Sequence, residues 1–193
     1  MSCVAFFHCF ADGAWEQPTA EYLEALRASE FPGTLHVGLV GAPERRLAAR
    51  IELGDVEVVA EADHGFEQVT LGPLYEYARE HEGAILYAHT KAASDPAPWK
   101  IEWRHSMTKH LVARWADALL GIEAGADLAG AHWIDDGGTP PHFSGNFWMA
   151  SAAYLRTLPP CPIADRMEAE FWVGQNDPST FNMRRGNPMG LFR

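Results

Sequence analysis

Cysteine is scarce in this chain, with three in 193 residues. Cys3, Cys9 and Cys161 show no metal-type spacing, and their odd number excludes a disulfide framework and suits a reducing compartment. Cys3 and Cys9 fall in an apolar run and read as core thiols rather than reactive ones. Positive charge is also short: 15 Lys plus Arg face 26 Asp plus Glu, a formal charge of −11. A nucleic-acid binder needs a basic face that displaces counterions, and an anionic membrane surface asks the same, so neither partner is expected. Net charge says little about a single cleft, where a few cations can still meet a diphosphate. No apolar run approaches the roughly 20 residues of a membrane helix. The first residues have no basic segment, and His8 interrupts their short apolar run, so a cytoplasmic protein is expected. Repeats, linkers and low-complexity tracts are absent as well, which leaves one domain over residues 1–193.

What is present is an ordinary globular composition, 47% hydrophobic and 21% charged, sufficient for a folded core. Residues 4–10 read as a buried first strand, followed by the loop Ala11-Asp12-Gly13. Pro18 and Thr19 open a helix with Tyr22, Leu23 and Leu26 on one face. Residues 34–40 alternate Leu35, Val37 and Leu39 as a second strand, Pro43 starts a short helix through Arg50, and 56–60 form a third strand. Over 70–82, Leu71, Leu74, Tyr75 and Ala78 keep helical spacing. Residues 84–88 form a fourth strand that runs into His89-Thr90-Lys91. Such alternation predicts an α/β, Rossmann-like, mostly parallel sheet flanked by helices. Ligands gather beyond the carboxyl ends of such strands, which points to the residues just after Phe10, Val40, Ala60 and Ala88.

The second half reads differently. Pro98 opens a long helix with Trp103, Met107, Leu111, Trp115 and Leu119 every four residues. Residues 128–133 look like a strand, 135–141 a turn-rich loop, 143–150 a further strand and 151–158 a helix stopped by Pro159-Pro160. Asp165 and Glu168 form a capping box for a last helix through Trp172. Residues 175–193, rich in Asn, Gly, Pro and Arg, read as an irregular tail.

Several clusters could carry chemistry. His89, Thr90 and Lys91 fan out from a buried strand end as donors suited to phosphate oxygens or a leaving group. His8 and Phe10, closing the first strand, join them on the donor side. On the long helix, Lys100, Arg104, His105 and Lys109 make either a phosphate-facing ridge or a solvated face; Arg104 stands out for its fork of donors. On a continuous strand His142, Ser144 and Asn146 would share one face, with Phe143, Phe147 and Trp148 as apolar bulk and Gly145 allowing close approach. Polar edges beside aromatics suit a sugar, although a core strand with internally satisfied groups has the same pattern. Glu170 is the preferred general base, His142 the other candidate, because Glu168 already has the capping explanation. Asp135-Asp136 offers oxygen ligands for Mg²⁺ or Mn²⁺, but adjacent aspartates in a turn also serve local hydrogen bonds. Arg184 and Arg185 could fold over a diphosphate or merely solubilise the tail.

Taken in order, Glu67-x-x-Thr70-Leu71, Ile85-Leu86-Tyr87-x-His89-Thr90-Lys91, Trp103-Arg104-x-x-Met107, His142-Phe143-Ser144-Gly145-Asn146-Phe147-Trp148 and Arg166-x-x-x-Glu170-x-Trp172 resemble bacterial glycosyltransferase-like proteins. The set is distantly similar to the rhamnan-synthesis and capsular-polysaccharide group, over roughly residues 55–175. The resemblance implies a GT-A-like fold whose donor is a nucleotide-diphosphate sugar, UDP- or dTDP-linked, and whose acceptor is a small molecule or glycan. It also implies a sugar and acceptor pocket around His142 to Trp148, joined by Glu67, Glu168 and Trp172, and a base at Glu170.

One departure matters. Where GT-A enzymes usually carry Asp-x-Asp for a divalent metal, this chain has His89-Thr90-Lys91. No metal cofactor is therefore expected, and Lys91, Arg104 and the tail arginines are the candidates to neutralise the diphosphate. The chain is short for this fold, so the acceptor side is expected to be sparse or completed by a second copy in a homodimer. Two rivals stand beside sugar transfer: a noncatalytic nucleotide-sugar binding module, and a metal-dependent hydrolase built on Asp135, Asp136 and some of the nine histidines.

Overall fold

The computed structural model describes residues 1–161 and 166–184. The first half follows the expected order: β1 (Cys3–Phe10), α1 (Glu16–Ala28), β2 (Leu35–Val40), α2 (Pro43–Leu53), β3 (Glu57–Ala62), α3 (Gln68–Glu80) and β4 (Ala84–His89). After it come α4 (Pro98–His110), a 3₁₀ turn (Val112–Arg114), α5 (Trp115–Glu123), β5 (Leu128–Ala131), β6 (Trp133–Ile134), β7 (His142–Phe143) and β8 (Trp148–Ser151). The last described elements are α6 (Ala152–Leu155), α7 (Arg166–Phe171), a 3₁₀ turn (Trp172–Gly174) and β9 (Thr180–Arg184).

Seven strands form one sheet in the order β3-β2-β1-β4-β8-β5-β9, and β6 pairs with β7 as a separate hairpin. Within the seven-stranded sheet every pairing is parallel except those of β8, which runs against both β4 and β5. From β1 the chain steps outward to β2 and β3, then returns to place β4 on the other side of β1. Right-handed crossovers put helices that step in opposite directions on opposite faces. Accordingly α1 and α2 pack on one face through Tyr22, Leu26, Ala49 and Leu53, while α3 packs on the other through Leu71, Leu74 and Ala78. β1 serves both layers, with Ala5, Phe7 and Cys9 in the first and Phe6 in the second. The three thiols are free and buried, and desolvation pushes Cys9 up to about 12, which keeps it protonated and inert.

Four expectations for the second half need correction. The long helix breaks at Leu111 into α4 and α5. A stripe recurring every four residues drifts by roughly 40° per step on a helix of 3.6 residues per turn, so one straight rod could not keep it on one face. The break re-aims the chain and leaves Trp115 and Leu119 half-buried beside buried Met107 and Leu111. The 128–133 strand divides at His132, whose φ of 67° turns the backbone out of the sheet. The 143–150 strand divides too: Gly145 at φ 90° and Asn146 at φ 56° form a turn between β7 and β8. His142, Ser144 and Asn146 therefore share no strand face. Finally, the tail is not irregular throughout, because β9 pairs in parallel with β5 at the sheet edge. The Asp165 partner of the expected capping box lies outside the described residues, and so does Arg185.

Candidate functional site

β1 and β4 are the neighbouring strands at which the direction of winding reverses, the place where open α/β sheets bind ligands. Their carboxyl ends open into a cleft of about 360 Å³. β1 contributes His8 and Phe10; β4 and its following loop contribute His89, Thr90, Lys91, Ala92, Ser94 and Asp95. The segment before α3 adds Gly65, Phe66 and Glu67, and α4 adds Lys100 and Trp103.

Hydrogen bonds stitch the two strand ends together. The Thr90 amide donates to the His8 carbonyl at 2.9 Å, and the Phe10 amide donates to Thr90 Oγ1 at 2.9 Å. Thr90 is therefore engaged in holding the strand ends, not only in facing the cleft. The Ala14 amide donates to the Ala93 carbonyl at 2.8 Å, tying together the loops that follow β1 and β4.

Glu67 is the polar centre of the floor. It is 7% exposed and sits at the N-terminal end of α3, where the helix dipole favours a carboxylate. Tyr87 Oη donates to its Oε2 at 3.0 Å, and Asn146 Nδ2 donates to the same oxygen. Trp148 Nε1 donates to Asn146 Oδ1 at 2.7 Å, so the network reaches β8. Burial and the neighbouring carboxylate push the Tyr87 phenol well up, which keeps it a donor. The other oxygen, Oε1, lies 3.8 Å from His89 Nδ1, and His89 Nε2 lies 3.0 Å from the Gly145 carbonyl. His8 Nδ1 is 2.9 Å from Thr70 Oγ1. Desolvation drives His8 down to about 4, with Glu67 pulling it up and His89 pushing it further down, so its ring is neutral at physiological pH.

Two lysines line the cleft as well. The Lys91 ammonium stands 4.2 Å from the centre of the Trp103 ring, and Lys100 pairs with Asp95. Phe10, Phe66 and Trp103 supply aromatic wall, and Phe66 is 48% exposed.

Seven of the residues picked from the sequence thus come together: His8, Phe10, Glu67, His89, Thr90, Lys91 and Lys100. The others stand elsewhere. Arg104 is 3% exposed and its donors are committed: Nε and Nη2 grip Glu21 at 2.8 and 2.9 Å, and Nη1 reaches the Lys91 carbonyl at 3.0 Å. It holds the lysine loop rather than facing the cleft. Burial raises Glu21, but the hydrogen bonds from Arg104 and His105 outweigh that and hold its carboxyl below the usual range. Asn146 supports Glu67 from behind, and Trp148 is fully buried against Tyr87. Ser144 is buried, with its amide on the His132 carbonyl.

His142 donates through Nδ1 to the Pro140 carbonyl at 2.8 Å and packs its ring on Phe171. Glu170 Oε1 accepts the Gly145 amide at 3.0 Å. Neither lines the cleft. Glu168 is exposed on α7, and Trp172 is a fully buried core residue whose Nε1 donates to the Pro159 carbonyl. Arg184 sits on β9 with Nη1 against His110 Nε2 at 2.9 Å.

The cleft has two carboxylates: Glu67, whose Oε2 accepts from Tyr87 and Asn146, and Asp95, which pairs with Lys100. Asp135 and Asp136 are exposed in their loop, and Asp136 Oδ1 accepts the Gly138 amide at 3.0 Å. Among the described residues no group of three or more His, Cys, Asp or Glu is placed to hold a metal ion. No helix among them is long and apolar enough to cross a membrane.

Sequence reading passed over Phe66, Ser94 and Asp95. Phe66 follows the third strand, so the carboxyl-end rule already marked its position. Ser94 and Asp95 carried no local signal, because they reach the cleft only through the path of the loop after β4.

The sheet order and the switch-point cleft make this a Rossmann-like α/β domain. The chain belongs to the family described as Domain of unknown function (DUF8361), which matches residues 15–187. Compared with curated proteins it has no significant match. Its fold is similar to that of a nucleotidyl transferase from Methanothermobacter (Mth528), at 15% identity and a TM-score of 0.53, covering 98% of this chain and 89% of that one. It is similar also to the Mycobacterium sp. strain JC1 homologue of Mycobacterium tuberculosis Rv0371c, at 13% identity and a TM-score of 0.51, covering 95% and 86%.

Proposed function

We propose that the protein is a transferase acting on a nucleotide-linked substrate, with the diphosphate bound in the cleft at the ends of β1 and β4. The observation that carries this reading is the Lys91 ammonium over the Trp103 ring, with the Lys100–Asp95 ion pair beside it, in the switch-point cleft of a chain that is otherwise strongly acidic. Oxygens of a phosphate take ammonium donors readily, and an aromatic wall suits a nucleobase or the apolar face of a sugar. The Methanothermobacter protein of similar fold is itself a nucleotidyl transferase.

Within that class the favoured reaction is transfer of a sugar from a uridine or thymidine diphosphate sugar to a hydroxyl. The leaving diphosphate gains negative charge as the glycosidic bond breaks, and fixed ammonium groups stabilise that charge more in the transition state than in the ground state. Lysines supply this without a divalent ion, so activity should persist in EDTA. Arg104 contributes by anchoring the Lys91 loop, and the sequence candidates Glu170 and His142 do not line this cleft.

The test is a product assay over a panel of nucleotide sugars and hydroxyl acceptors. Release of nucleoside diphosphate, dependent on acceptor, supports sugar transfer. Release of pyrophosphate from nucleoside triphosphate and a sugar phosphate would move the assignment to nucleotidyl transfer. Binding of a nucleotide sugar with no product across the panel would mark a noncatalytic binding module.

A further inference from the structure

The cleft floor carries a carboxylate and an imidazole that the phosphate reading leaves without a task. Glu67 and His89 are both buried, at 7% each, and both line the cleft. Their placement is over-determined. Two donors, from Tyr87 on β4 and Asn146 in the β7–β8 turn, hold Oε2 of Glu67. One acceptor, the Gly145 carbonyl, lies 3.0 Å from His89 Nε2.

That carbonyl fixes the chemistry of the ring. A carbonyl oxygen only accepts, so Nε2 carries a proton, and Nδ1 is the nitrogen that gains and loses one. Nδ1 faces Glu67 Oε1 at 3.8 Å, beyond a direct hydrogen bond but close enough for a carboxylate to stabilise a charged ring. The turn geometry suits glycine here: at φ 90° a side chain on residue 145 would strain the backbone, and its Cβ would lie 2.5 Å from Met107 Sδ.

We propose that Glu67 and His89 are the acid–base pair of this cleft, with His89 Nδ1 removing the proton of an acceptor hydroxyl and Glu67 holding the resulting imidazolium. This deepens the transferase reading and rests on it for the identity of the substrate. The hydroxyl oxygen forms a bond to the anomeric carbon as its proton passes to Nδ1. The bond from that carbon to the diphosphate oxygen breaks, and its electron pair leaves with the diphosphate toward Lys91 and Lys100. His89 then returns the proton to solvent or to the departing diphosphate. Among the described residues, the charged and titratable groups beside the ring include Glu67 from the head of α3 and His8 from β1, and Lys91 follows two residues along the chain. His8 is held neutral by its burial and is hydrogen-bonded to Thr70, so it is poorly placed to take the proton.

Glu67→Gln and His89→Gln test the pair. The first keeps an acceptor for Tyr87 and Asn146, and the second keeps a donor within reach of the Gly145 carbonyl. For both, calorimetry with uridine diphosphate should give the wild-type affinity within about threefold, while kcat for transfer falls by about 100-fold or more, the usual range for a lost general base. The acid limb of the kcat–pH profile, set by His89, should vanish in His89→Gln. Turnover within about threefold of wild type in either variant would overturn the proposal. Nitrogen NMR of His89 keeps the pair testable should no nucleotide bind, an outcome that would end the transferase reading alone. A ring protonated on Nε2, titrating at Nδ1 with a midpoint that falls in Glu67→Gln, supports the pair; a ring protonated on Nδ1 when neutral refutes it, whatever the substrate.

Discussion

Acidification should weaken this fold through His8, and the size of the effect follows from its burial. The ring is 3% exposed, and desolvation lowers it from 6.5 to about 4. Between those values the unfolded chain binds a proton that the native state refuses, so stability rises with pH across the window. The contribution is fully present above 6.5 and is lost as pH falls through the window toward the folded value. A difference of about 2.5 units corresponds to on the order of 3 kcal/mol, of which about 2 kcal/mol is lost between about pH 8 and about pH 5. His36 and His110 are also lowered, chiefly by burial, and add slope of the same sign. Comparison with His8→Asn, which can keep the Thr70 contact of Nδ1, isolates the term. Urea unfolding at the two pH values should show wild type losing about 2 kcal/mol more than the variant. Equal losses would refute the reasoning and mean that the ring ionises freely in the native state.

Other outcomes follow from the same geometry. Gly38→Ala should destabilise by about 1–3 kcal/mol in a thermal or urea melt, because its Cβ would lie 2.1 Å from Thr70 Oγ1, the partner of His8. Arg104→Ala leaves the Glu21 carboxylate without its fork and frees the Lys91 carbonyl; with Glu21 23% exposed and partly screened, a loss of about 2–3 kcal/mol is expected, and Arg104→Lys should restore only part of it. Lys91→Ala should weaken nucleoside diphosphate binding about tenfold by calorimetry, and an unchanged affinity would remove Lys91 from the phosphate site. Glu170→Gln, by contrast, should keep transfer within about threefold in a rate assay, since the amide oxygen still accepts the Gly145 amide; a collapse of kcat would reinstate Glu170 as the base.

The first half of the chain was legible residue by residue. Strands β1 to β4 are short apolar runs separated by helices with clear spacing, so the parallel sheet and the carboxyl-end rule followed from local pattern alone. With that rule came His8, Phe10, His89, Thr90 and Lys91. Reading failed where backbone conformation departs from what side chains advertise. His132 and Asn146 take positive φ, which splits two apparent strands, and nothing in their identity compels it. β9 was hidden because Thr180, Phe181 and Met183 lie among Asn, Pro and Arg, and its pairing partner β5 is far off in sequence.

What the sequence by itself determined, then, is the parallel first half of the sheet, the helices that cover it and the strand ends that open the cleft, since hydrophobic periodicity and the alternation of strand with helix are local properties. Only the tertiary structure decided which polar side chains share the cleft. Arg104 turned inward to Glu21, Glu170 to the Gly145 amide and Trp172 to the core, while Glu67 acquired Tyr87, Asn146 and His89 from elements 20 to 79 residues away. Such partnerships form because a buried polar group is costly until a donor or acceptor meets it, and which one does depends on the packing of the whole chain.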